Sequence, residues 1–122
     1  NRDRGLAVLN EMLGEEQAAT AQHTWEKLSP DFEKYVIGFL AGEIWPREQL
    51  YRKTRSLCTI AALGALGRER GLALNIRMAL RNGASKEEIL ETLLHLAPYA
   101  GFPAAWEGIA MANEIFEESE GR

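Results

Sequence analysis

A histidine and a tyrosine four positions apart, His95 and Tyr99, stand in a stretch without formal charge that runs from Leu94 to Ala105. Positions i and i+4 share one helix face, so the imidazole and the phenol are expected to point the same way. An imidazole moves protons near neutral pH and a phenol donates a hydrogen bond, which suits acid/base chemistry at a pocket wall. Glu91 and Thr92 fall on the same face, while Ile89, Leu93, Leu96 and Ala97 read as core. The plain alternative is a histidine at the core edge that donates to a backbone carbonyl. Pro98 removes a backbone donor and kinks or ends the helix beside His95.

A second group lies earlier in the chain, in Gly42-Glu43-Ile44-Trp45 followed by Arg52 and Arg55. Glu43 is expected in a helix-breaking stretch, where apolar neighbours help a carboxyl group hold a proton; the alternative is a solvent-facing carboxylate. Arg55, four before Thr59 at the margin of an apolar helix, reads either as a salt-bridge partner or as a fork-shaped clamp for a carboxylate. Asn75 sits within the apolar arc of Leu72, Ile76 and Ala79. A buried amide must be hydrogen-bonded, so it either ties helices together or faces a polar cavity.

The elements that must position these groups all read as helix, with no strand alternation of useful length. A short amphipathic helix covers Leu6 to Leu13 and breaks at Gly14, and Thr20 to Lys27 carries no clear signal. Ser29-Pro30-Asp31 starts a helix, with Ser29 as N-cap and Pro30 in its first position. Phe32, Val36, Phe39 and Leu40 form its apolar stripe. Trp45-Pro46 interrupts, and a long helix is expected from Arg47 to Leu66 with Leu50, Leu57, Ile60, Ala61 and Gly64 toward the core. Gly67 stops it as a left-handed residue. Another helix spans Glu69 to Arg81, ended by Asn82-Gly83. Ser85 and Glu88 form a capping box for the helix that carries His95. Pro103 opens the last helix, whose acidic end, Glu117 to Arg122, is expected to fray. The fold class is all-α, built from antiparallel helix hairpins.

With 122 residues, 46% hydrophobic and 26% charged, the chain reads as one domain spanning 1–122 with enough apolar content for a core. The net charge is −4 and the basic residues are interleaved with Glu, so no nucleic-acid-binding stripe is expected. No segment approaches the roughly 18–20 apolar residues of a membrane span. The single cysteine, Cys58, fits a reducing, cytoplasmic setting, cannot form an internal disulfide, and is expected to be a buried, inert thiol between Leu57 and Ile60. His23 and His95 do not make a metal set, and no glycine is followed by a phosphate-loop lysine. Trp25, Trp45 and Trp106, with several Phe and Tyr, exceed what so short a chain buries, so a homo-oligomer is expected.

Several motifs occur in order: Gly42-Glu43-Ile44-Trp45, Thr54-Arg55-Ser56-Leu57 with Thr59-Ile60-Ala61, Arg81-Asn82-Gly83, Glu88-Ile89, and Tyr99-Ala100-Gly101-Phe102-Pro103-Ala104-Ala105. Together they resemble the carboxymuconolactone decarboxylase family of the AhpD-like superfamily, from about Phe32 to Phe116. The resemblance implies a cofactor-free helical subunit assembled as a hexamer or trimer of dimers, with sites near subunit contacts. It implies decarboxylation of 4-carboxymuconolactone or a related small carboxylated lactone. In that reading Arg55 is the clamp, Glu43 or His95 the acid, Tyr99 a further donor, and Trp45 and Asn75 line the substrate. Family decarboxylases usually carry a histidine where this chain has Asn75, and an amide exchanges no proton near neutral pH. The redox branch of the superfamily needs two cysteines, which this chain lacks. A diverged member catalysing another decarboxylation, isomerisation or cyclisation, or a non-catalytic ligand-binding oligomer, is the alternative.

Overall fold

The computed structural model describes residues 1–120, and among them no strand is found. The all-α expectation therefore holds. The chain divides into two compact units, Asn1–Arg52 and Lys53–Arg122.

In the first unit, α1 (Arg2–Leu13), α2 (Glu15–Leu28) and α3 (Pro30–Tyr35) lead into a π-helical segment, Val36–Ile44. Thr20 and Thr24, which weaken the sequence signal, are accommodated within α2. Each hydroxyl donates back to the carbonyl four residues earlier, Glu16 and Thr20 respectively, at 3.0 Å. Ser29 caps α3 as expected, its Oγ accepting from the Phe32 N–H at 3.2 Å. α1 packs along the π segment. The approach is so close that a Cβ on Gly5 would stand 1.8 Å from the Ile37 carbonyl oxygen.

Two expectations fail in this unit. Phe32, Phe39 and Leu40 are exposed, and the buried positions are Glu33, Ile37 and Ala41 instead. The buried face is offset by one residue from the expected stripe already in α3, at Glu33, and continues so into the π segment, whose bonding is i→i+5. The expected helix from Arg47 begins only at Arg52. The intervening turn closes through the Arg47 N–H on the Ile44 carbonyl at 3.1 Å, and Leu50 stays exposed.

The second unit takes all but the first residue of α4 (Arg52–Leu66), followed by α5 (Glu69–Arg81), α6 (Lys86–His95), α7 (Ala97–Ala100) and α8 (Phe102–Glu120). Ile60, Ile76, Ile89, Leu93, Ala112 and Phe116 belong to one core cluster. Leu93 is fully buried where Gly108 of α8 and Gly64 of α4 leave room; a Cβ on them would meet its Cδ2 at 2.8 and 3.2 Å. Gly67 ends α4 with φ 71°, left-handed as the sequence implies, and Gly101 turns α7 into α8 with φ 104°. Cys58, expected in the core, is exposed. It lies on a face of α4 different from Ile60, two residues and so about 200° away. The acidic end remains helical through Glu120, with Arg77 paired to Glu118 at 3.0 Å and Lys86 to Glu120. Gly121 and Arg122 lie outside the described residues.

Candidate active site

The capping box at Ser85 starts α6 in a defined register. The Ser85 Oγ accepts from the Glu88 N–H at 3.0 Å, and Glu88 Oε1 accepts from the Ser85 N–H at 2.9 Å. From that start, Glu88, Glu91, Thr92 and His95 fall three or four residues apart on one face. They border a groove of about 400 Å³ whose apolar lining is Leu57 and Ala61 of α4 with Leu96. The grouping of His95 with Glu91 and Thr92, inferred from spacing, is thus present in three dimensions. Thr92 Oγ1 donates to the Glu88 carbonyl at 2.8 Å, which holds its side chain against the helix.

α6 ends at His95, Leu96 caps it, and Pro98 falls in the first turn of α7, so the proline ends the helix rather than bending it. The His95 and Tyr99 rings lie 5.5 Å apart between centroids, tilted at 49°. Both are exposed, Tyr99 at 80%. His95 borders the groove, and Tyr99 stands beside that imidazole without lining the groove itself.

The electrostatics of the groove centre on Glu88. The Ser85 N–H, and then Lys53, hold its carboxyl below the usual carboxylate range. Lys53 Nζ lies 3.1 Å from Glu88 Oε2 and offsets its charge. Glu91 adds a second, exposed carboxylate. Nothing in the sequence singled out Lys53, because the contact joins residues 35 positions apart.

The remaining candidates lie elsewhere. Arg55 is on α4 two residues before Leu57, about 200° around the helix from the groove lining. Its Nε is buried, and its carbonyl accepts from Thr59 Oγ1 at 2.9 Å. Asn75 is half-buried, and its amide donates to the Gly71 carbonyl of its own helix at 2.8 Å. That bond neither ties helices together nor reaches the groove. Glu43 and Trp45 belong to the first unit. Trp45 is buried, whereas Glu43 lies exposed within the π segment rather than in a helix break. Glu43 borders a second recess of about 460 Å³ with Asn1, Arg2, Lys34, Tyr35 and Phe39. Among the described residues no cluster of His, Cys, Asp or Glu is grouped to hold a metal ion, and no helix is long and apolar enough to cross a membrane.

A further tie joins two motifs that lie far apart in the chain. Asn82 in the α5–α6 turn donates to Ser56 in α4 at 2.9 Å.

The model of the carboxymuconolactone decarboxylase family matches residues 30–114. A 4-carboxymuconolactone decarboxylase of Acinetobacter baylyi is 41% identical over 115 residues, 94% of this chain and 86% of that protein. An uncharacterized 15.0 kDa protein of Paracoccus denitrificans is 36% identical over 98 residues, 78% of this chain and 72% of the other. A nitrosuccinic acid decarboxylase of Metarhizium robertsii is 28% identical over 116 residues, 95% and 81% of the two chains.

Proposed function

The chain belongs to the carboxymuconolactone decarboxylase family, and from that premise we propose that it is a cofactor-independent decarboxylase of a small carboxylated lactone, with 4-carboxymuconolactone as the first substrate to try. The observation that carries the reading is the 41% identity to the Acinetobacter decarboxylase over nearly the whole chain. The nitrosuccinic acid decarboxylase among the relatives supports decarboxylation as the reaction class.

The chemistry has three demands. As the C–C bond to the carboxylate breaks, CO2 leaves and the electron pair passes into the conjugated lactone carbonyl, whose oxygen needs a donor. The resulting dienolate then takes a proton on carbon from an acid. The carboxylates need a cation to orient them, and the departing one gains from an apolar wall. Within this proposal Tyr99 donates to the carbonyl oxygen, and His95 or Glu43 delivers the proton. Arg55 as carboxylate clamp, with Trp45 and Asn75 as substrate-binding residues, follows from the family resemblance; none of the three lines the groove beside His95. The groove beside His95 supports the role of its apolar residues: Leu57, Ala61 and Leu96 offer a surface for the ring. Its carboxylates favour a pose in which the substrate's own carboxylates turn away from Glu91.

The same reading takes the chain as one catalytic domain, cytoplasmic, acting in aromatic catabolism and assembled as a hexamer or trimer of dimers. Exposed Phe102 and Trp106 in the second unit and Phe32 and Phe39 in the first support assembly, since surface this apolar usually finds a partner.

Incubating the purified protein with 4-carboxymuconolactone, while following CO2 release and lactone absorbance, tests the proposal. Turnover that depends on His95 is expected. Absence of turnover at high enzyme concentration excludes this substrate and leaves the diverged or ligand-binding alternative.

A further inference from the structure

Glu33 is an acidic residue with 3% exposure. Its carboxylate accepts from Arg2 Nη1 at 2.8 Å and Nη2 at 2.6 Å, and from Gln22 Nε2 at 3.1 Å. One buried carboxylate thus joins α1, α2 and α3. A charge taken out of water needs its partners in place, so the two-pronged Arg2 contact fixes the first turn of α1 beside the end of α3.

That turn also touches the segment that carries Glu43. Gly5 meets the Ile37 carbonyl, and a Cβ on Gly42 would stand 2.6 Å from the Asn1 carbonyl oxygen. α1 therefore presses on the π segment near its start and at the residue before Glu43. Long π-helical runs are rare and depend on their surroundings, because α bonding is the more favourable arrangement. Return of this segment to α register would swing Glu43 around the helix axis. Arg2 and Glu43 also border the same recess.

We propose that the Arg2–Glu33 pair is a positioning device: by locking α1 against the π segment it holds Glu43 in its working orientation. The catalytic half of this inference rests on Glu43 acting as proposed above; the mechanical half does not.

The experiment uses the full chain as wild type, Arg2→Met, Arg2→Lys, Glu43→Gln, Arg2→Met with Glu43→Gln, and Arg2→Met with Glu33→Gln. The last variant loses the buried charge together with its partner and so keeps a folded protein without the lock. Backbone hydrogen exchange is read without substrate. Amides of residues 38–44 are expected to exchange about tenfold faster in Arg2→Met and in Arg2→Met with Glu33→Gln, while those of residues 105–116 keep their rates. Unchanged exchange in 38–44 overturns the lock, whether or not the lactone is a substrate. In turnover assays on 4-carboxymuconolactone, Arg2→Met is expected to lower kcat about tenfold with KM within about twofold. Arg2→Lys restores part of the rate, and Arg2→Met adds no further loss to Glu43→Gln. Losses that multiply in the double variant, or full activity in Glu43→Gln, overturn the catalytic half.

Discussion

Asn82 Nδ2 donates to the buried hydroxyl of Ser56 at 2.9 Å, tying the α5–α6 turn to the second turn of α4. The bond spans 26 residues and joins two motifs that are unremarkable one at a time. It also sets the start of α6 against α4, the two helices that contribute Leu57, Ala61, Thr92 and His95 to the groove. Replacing Ser56 by Ala leaves the half-buried Asn82 amide without this acceptor. A loss of about 1–3 kcal/mol in unfolding free energy is expected, measured by urea titration; an unchanged midpoint would show that the amide finds another acceptor at no cost.

His95 is exposed, so its replacement should act on chemistry rather than on folding. His95→Gln is expected to lower kcat on 4-carboxymuconolactone about a hundredfold or more while the melting temperature stays within a degree or two of wild type. Tyr99→Phe should cost about tenfold, the scale of one neutral hydrogen bond. Equal rates in His95→Gln and wild type would move the acid role to Glu43.

Stability should fall with acid in a way that Glu33 shapes. The hydrogen bonds from Arg2, followed by that from Gln22, outweigh burial and hold its carboxyl below the ordinary 4.5. Between the folded and ordinary values the unfolded chain binds a proton that the folded chain does not. The contribution is therefore complete above the ordinary value and is lost as pH falls through the depressed one. Melting temperature followed downward from pH 7 should show a shallower acid decline in Glu33→Gln than in wild type. Parallel curves would mean that Glu33 carries none of the acid sensitivity.

Gly5 should tolerate no side chain. The added methyl of Gly5→Ala would collide with the Ile37 backbone, which cannot swing aside as a side-chain tip does. Moving α1 away is expected to cost about 1–3 kcal/mol or more, visible as a lower urea midpoint. A variant as stable as wild type would refute the tight crossing.

Trp106, 76% exposed, and neighbouring Phe102 should matter to assembly more than to the fold of one subunit. Trp106→Glu is expected to shift the protein to smaller species in light scattering, with helical content by circular dichroism preserved. An unchanged mass would place the subunit contact elsewhere.

The parts of this protein that could be read in advance are those whose cause lies within a turn or two of chain. Ser29 and Ser85 cap their helices because a short hydroxyl side chain can reach the N–H three residues on. Gly67 stands where a left-handed residue must follow a helix. His95 shares the groove with Glu91 and Thr92 because three and four residues make one face of α6, whereas its ring meets Tyr99 across the break between α6 and α7. The family resemblance adds the fold for the same reason, since its motifs are local signals in a fixed order.

What the sequence by itself determined, then, was an all-helical chain, its caps and stops, and the side of α6 on which an imidazole would stand. The tertiary structure alone decided that Glu33 is buried under Arg2, that residues 36–44 take the wider π turn, that Cys58 faces out, and that Asn75 bonds within its own helix. Burial and register at those positions depend on which distant segment arrives alongside. A carboxylate can be buried only if an arginine 31 residues away meets it.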